Sequence, residues 1–79
     1  MDANLKIPVE VLVFETNICH RRELPQLARL LRTEKRIAQW NVDLDDCSRV
    51  LRVEARCLPP AEVIALLRQA GYACQELPD

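Results

Sequence analysis

Ile37-Ala38-Gln39-Trp40-Asn41-Val42-Asp43-Leu44, then Asp45-Asp46-Cys47-Ser48, then Val50-Leu51-Arg52-Val53-Glu54-Ala55-Arg56 is the stretch on which the fold turns. In its first arm Trp40, Val42 and Leu44 alternate with Gln39, Asn41 and Asp43. In its second arm Leu51, Val53 and Ala55 alternate with Arg52, Glu54 and Arg56. A period of two is that of a strand with one face buried and one face wet. The link between the arms is polar turn material, because Asp and Ser bond readily to their own backbone. Two such arms with a short turn predict an antiparallel hairpin.

Helical spacing flanks the hairpin on both sides. Leu24, Leu27, Ala28 and Leu31 recur as one face of a helix. Pro25 places the helix start at about residues 22–24, since proline fits only the first turn. Cys19 therefore precedes the helix, and no Ser, Thr, Asp or Asn stands where the cap belongs. After the hairpin, Pro59 and Pro60 open a second helix with Val63, Leu66, Leu67 and Ala70 as its stripe. Gly71 is the expected left-handed residue at its end.

Two more strands complete the chain. Val9-Glu10-Val11-Leu12-Val13-Phe14 is apolar on both faces, as suits a central strand buried on two sides. Pro8 stands at its start, where a missing N–H does no harm. Residues 16–22 read as a loop, and residues 72–77 as a short closing strand ended by Pro78. The order is β-α-β-β-α-β. It predicts one α+β domain over residues 1–79, a ferredoxin-like sandwich. Its four-stranded antiparallel sheet would run in the order 4-1-3-2, with two helices on one face and the other face open.

Composition narrows the function. At 79 residues the chain buries a modest core, and 49% hydrophobic residues suffice for one. A formal net charge of −1 gives no general attraction to nucleic acid or to a membrane surface, so neither is an expected partner. The start, Met-Asp-Ala-Asn-Leu-Lys, has an early acid and no long apolar run, unlike a signal peptide. The expected location is the cytoplasm, where Cys19, Cys47, Cys57 and Cys74 stay free thiols.

Several stretches resemble the heavy-metal-associated domains of copper chaperones. Residues 37–44 match that family's second strand, with an acid in the seventh place. Leu51 and Val53 match its third strand. Pro60-Ala61-Glu62-Val63-Ile64-Ala65-Leu66-Leu67-Arg68-Gln69-Ala70-Gly71-Tyr72 matches its second helix and the Gly-Tyr beyond it. The family's metal loop is Gly-Met-x-Cys-x-x-Cys. Here that place reads Thr16-Asn17-Ile18-Cys19-His20-Arg21-Arg22, so Cys19 stands for the first cysteine and Arg22 for the second. The resemblance thus implies the layout of a metal-chaperone domain without its paired thiolates. A soft monovalent ion wants two thiolates, and Arg22 adds a positive charge where a cation would sit. No cofactor is expected, and the expected class is a non-enzymatic binding module.

Alternatives remain for the loop end. The topology puts residues 16–22, the hairpin turn at residues 45–48 and the Gly71-Tyr72 turn at one end of the sheet, with Cys57 at the other. Cys19, His20 and Cys47 are thus the candidate ligands for copper or zinc, alone or with Cys19 of a second subunit. They come from separate loops and lack metal-ligand spacing. Arg21 and Arg22 could favour a thiolate at Cys19, but no resolving cysteine follows in a Cys-x-x-Cys. Cys74 reads as a small core residue. No nucleophile–base pair or phosphate-cradling loop is recognisable.

For partners, two surfaces stand out. Arg21, Arg22, Arg29, Arg32, Lys35 and Arg36 crowd the first helix, a docking face for an acidic protein or simply a solvated one. The open face of the central strand shows apolar atoms that could join two copies as a homodimer, amid Gln39, Asn41, Arg52, Glu54 and Arg56.

Overall fold

A computed structural model describes residues 8–77. The readings of residues 1–6 and of Pro78 lie outside that span. The order is β1 (Glu10–Thr16), a 3-10 turn (Arg21–Glu23), α1 (Leu24–Arg32), β2 (Ile37–Asp43), β3 (Val50–Ala55), α2 (Pro60–Gln69) and β4 (Cys74–Glu76). All three strand pairings are antiparallel, in the order β2-β3-β1-β4. Counted from the other edge, that order is 4-1-3-2.

Register explains which face is buried. Phe14 lies opposite Leu51, Leu12 opposite Val53 and Trp40 opposite Val53. Thr16 lies opposite Cys74. These residues share one sheet face. Phe14, Leu51, Val53 and Ala55 from that face join Leu27 and Leu31 of α1 and Val63 and Leu67 of α2 in a single buried cluster. Both helices therefore cover the same side. On the other side Val9 and Val11 are 37% and 57% exposed. The expectation of a first strand buried on two sides is corrected: β1 is central in the sheet but covered on one face. Trp40 is half-buried and packs against the buried cluster from β2, an edge strand.

Strand ends and the burial of two loop residues differ from the sequence reading. β1 runs on to Thr16, since Glu15 and Thr16 pair with Gln75 and Cys74. β4 is three residues long, not six, because the preceding N–H groups are committed elsewhere. Tyr72 N–H donates to Leu67 O at 3.0 Å, and Gly71 N–H to Arg68 O at 3.0 Å. That pair of bonds closes the helix in a Schellman motif, with Gly71 at φ 96°. Ala73 N–H is taken by Asn17 Oδ1 at 2.9 Å. Lastly, Ile18 and Leu58 are fully or nearly buried, although each lies in a connection without periodicity.

The turn between α1 and β2 is tied down by charge. Glu34 bonds to Arg36 through both the guanidinium, at 2.8 Å, and the backbone N–H, at 3.0 Å. Arg36 also reaches Glu62 of α2 at 2.5 Å. Arg36, mainly through its side-chain bond, holds the Glu34 carboxyl at about 2. A depressed folded-state value stabilises the fold above the ordinary carboxylate range and is lost as pH falls towards it. Urea midpoints measured across acid pH should therefore drop between the ordinary carboxylate range and pH about 2. In Glu34→Gln that part of the drop should be missing. At Gly71 a Cβ would meet no atom within 4 Å, so the cost of Gly71→Ala is backbone strain alone. Denaturant unfolding should show a loss of about 1 kcal/mol.

Candidate functional site

The loop after β1, the β2–β3 turn and the α2–β4 turn meet at one end of the sheet, and named hydrogen bonds join them. Thr16 N–H donates to Ser48 O at 3.2 Å, and its hydroxyl to Arg49 O at 2.6 Å. The same hydroxyl accepts the Ile18 N–H at 3.3 Å. Asn17 joins the third segment through Ala73 N–H. Ile18 is fully buried and pins the loop to the core. Cys19 and His20 follow it, both exposed.

The loop then turns into the first helix around one carboxylate. Glu23 Oε2 accepts the backbone N–H of Cys19 and of His20, each at 3.0 Å. Glu23 N–H in turn donates to His20 O at 3.0 Å. This is the acidic half of a capping box, with His20 where Ser or Thr commonly stands. The two backbone N–H groups, Cys19 first, hold the Glu23 carboxyl below its ordinary pKa, and the charges of His20 and Arg22 add to this. Burial, and after it the negative charge of Glu23, pushes the Tyr72 hydroxyl up. The Cys19 thiol donates to Asn17 O at 3.2 Å.

The candidate ligands are placed as follows. Cys19 and His20 are neighbours on this loop, and Cys47 is exposed on the hairpin turn. Among the described residues, no three His, Cys, Asp or Glu side chains gather closely enough to hold an ion. Cys57 is exposed beyond β3, with φ 53°. Its carbonyl accepts from Arg36 at 3.4 Å, which sets it beside the α1–β2 turn. Cys74 is buried, and burial raises its thiol to about 11. It lies beside a shallow hollow of about 570 Å³ lined also by Asn17, Arg68 and Tyr72. Cys19, His20 and Cys47 do not line it.

The turn acids are partly occupied by their own loop. Asp43 Oδ1 accepts Asp45 N–H at 3.0 Å, and Asp46 Oδ1 accepts Ser48 N–H at 2.8 Å. Arg49 adopts φ 48° and donates to Leu44 O.

The basic residues divide in two. Arg36 takes both ion pairs found among the described residues. Arg21, Arg22, Arg29, Arg32 and Lys35 are exposed and outside those pairs. Arg29 and Arg32 stand three apart on α1 and so lie side by side. The open sheet face is less apolar than β1 suggests. Gln39 bonds Glu54 at 2.9 Å and Gln75 bonds Glu15 at 3.1 Å on either side of Val11 and Val13. No helix among the described residues is long and apolar enough to cross a membrane.

Sequence reasoning missed Thr16, Asn17 and Glu23. Only Glu23 had a local signal, its position three residues after the cap. Thr16 and Asn17 act across 33 and 56 residues, with no local trace. No family model, curated protein or solved structure matches this chain.

Because Glu23 holds the Cys19 and His20 amides, their proton shifts should follow its titration in NMR spectra. The midpoint should fall below the ordinary carboxylate value, and the bonds should be present above it and lost below it. In Glu23→Ala the titration should vanish, and both amides should exchange with solvent several-fold faster.

Proposed function

We propose that this chain is a non-enzymatic binding module that works through protein contacts. In this reading it has the ferredoxin-like layout of heavy-metal-associated domains and has lost their two-thiol loop. What supports the layout is the strand order together with two helices on one covered face. What supports the loss is the loop itself. Cys19 is its single thiol, it is bonded to Asn17 O, and the neighbouring N–H groups are closed around Glu23.

The observation that carries the protein-contact reading is the unpaired basic face. Five cations, Arg21, Arg22, Arg29, Arg32 and Lys35, lie on one helix and its flanks outside any ion pair among the described residues. A face of that kind speeds and orients encounter with an acidic partner more than it adds affinity. A cytoplasmic protein with an acidic patch is the partner class we assign. Copper or zinc held by Cys19 with His20 and Cys47, or shared with Cys19 of a second copy, is the second reading. The exposure of Cys19 favours the shared form over the single-chain form.

Titration with Cu(I) and with Zn(II) under reducing conditions separates the two. The binding-module reading expects no submicromolar binding, and no difference between the native chain and Cys19→Ala. Submicromolar binding that disappears in Cys19→Ala would falsify it. For the basic face, retention on immobilised polyglutamate should fall with added salt. It should fall by roughly tenfold in the Arg29→Glu, Arg32→Glu double variant.

A further inference from the structure

The sheet has two edges, and they are unequal. β4 exposes three residues, whereas β2 exposes seven. Among the described residues no strand pairs with the outer side of β2. The one further backbone bond made by a β2 N–H, from Ile37 to Glu34 O at 3.2 Å, sits at its very start. An unpaired edge is a row of free N–H and C=O groups, which chains commonly guard with lysine, proline or a bulge. β2 has an irregularity between Ile37 and Gln39. From Gln39 to Val42 it has neither charge nor proline.

Charge lies at the two ends of this strand, with opposite sign. Lys35 precedes it, and Asp43, Asp45 and Asp46 end and follow it. Two copies laid side by side in parallel would set acid on acid. Laid antiparallel about Trp40, so that directly opposed residues share a sheet face, they set Lys35 of each copy opposite Asp45 of the other, with Asp46 beside it, twice over by two-fold symmetry. All of these residues are exposed, and Lys35 takes part in no ion pair among the described residues. On the helix side a groove of about 410 Å³ runs along β2, lined by Ala28, Leu31, Ile37, Ala38 and Trp40, with Arg32 and Lys35 among its polar residues. Trp40 and Val42 lie on that side of the sheet, opposite Val53 and Leu51. In an antiparallel pair, Trp40 and Val42 of a second copy fall on the same side and fill that groove.

We infer that β2 is a self-pairing edge: two copies of this chain join antiparallel through it into one continuous sheet, with Lys35 set against Asp45 and Asp46 across the seam. This does not rest on the reading of the metal loop. A single strand pair buries less than the roughly 800 Å² per partner of stable complexes. The association is therefore concentration-dependent, with a dissociation constant of about 10 μM to 1 mM.

Sedimentation velocity on the full chain tests this, with reductant present to keep the exposed thiols of Cys19, Cys47 and Cys57 from bridging copies. Between about 10 μM and about 1 mM the weight-average mass should rise towards that of a dimer. Lys35→Glu should weaken the association about tenfold. Adding Asp45→Lys to that variant should restore it, because the reversed pair attracts again, and circular dichroism should show the same fold throughout. A monomer at all concentrations overturns the inference, and so does a dimer indifferent to Lys35→Glu. A dimer abolished by Val11→Lys but not by Lys35→Glu places the contact on the open sheet face and overturns it as well.

Discussion

One buried hydroxyl organises the end of the molecule that matters most. Among the described residues, Thr16 is the single polar or charged residue that is buried. Its backbone and side chain hold the β2–β3 turn through Ser48 and Arg49, and its hydroxyl accepts the N–H that leads into the loop. A buried polar group left unpaired costs on the order of 1–3 kcal/mol, so these bonds are obligatory rather than ornamental. Because Thr16 also pairs with Cys74, the last strand inherits its register from the same residue. The loop bearing Cys19 is therefore not a free flap. It leaves a fixed point, is plugged by Ile18 and closes on Glu23.

Much of this architecture is legible in the residues alone, and the reason is periodicity. Trp40, Val42, Leu51 and Val53 announce a hairpin because strand side chains alternate, and Leu27, Leu31, Val63 and Leu67 announce helices because theirs do not. Gly71 and the two helix-opening prolines mark boundaries through backbone geometry that is local by nature. What escaped is what depends on distant partners. Whether residues 72 and 73 join a strand is decided by Leu67 and by Asn17, not by their own propensity. Whether Val11 is covered is decided by which face the helices choose, and an apolar run cannot declare that. The cap at Glu23 was hidden because histidine stands where a hydroxyl is the usual sign.

The candidate site shows the same division. Cys19, His20 and Cys47 could be placed at one end of the sheet from topology, because loops at one end must be near neighbours. Whether neighbours converge is a matter of side-chain direction, which no spacing rule supplies for ligands drawn from separate loops. The chemistry of the end is instead dominated by charge of known place. Glu23 is turned inward onto amides, while Arg21 and Arg22 face water. Positive charge two and three residues beyond Cys19 disfavours a cation at this end and favours an acidic group.

The chain holds one indole, and it belongs to Trp40 on the outermost strand, half in water. Its emission colour thus reports the polarity of that rim alone, with no second tryptophan to average against. Anything that dries the rim shifts the light towards the blue, and anything that strips the strand from Val53 shifts it towards the red. The molecule carries its own optical gauge of the boundary where its sheet stops.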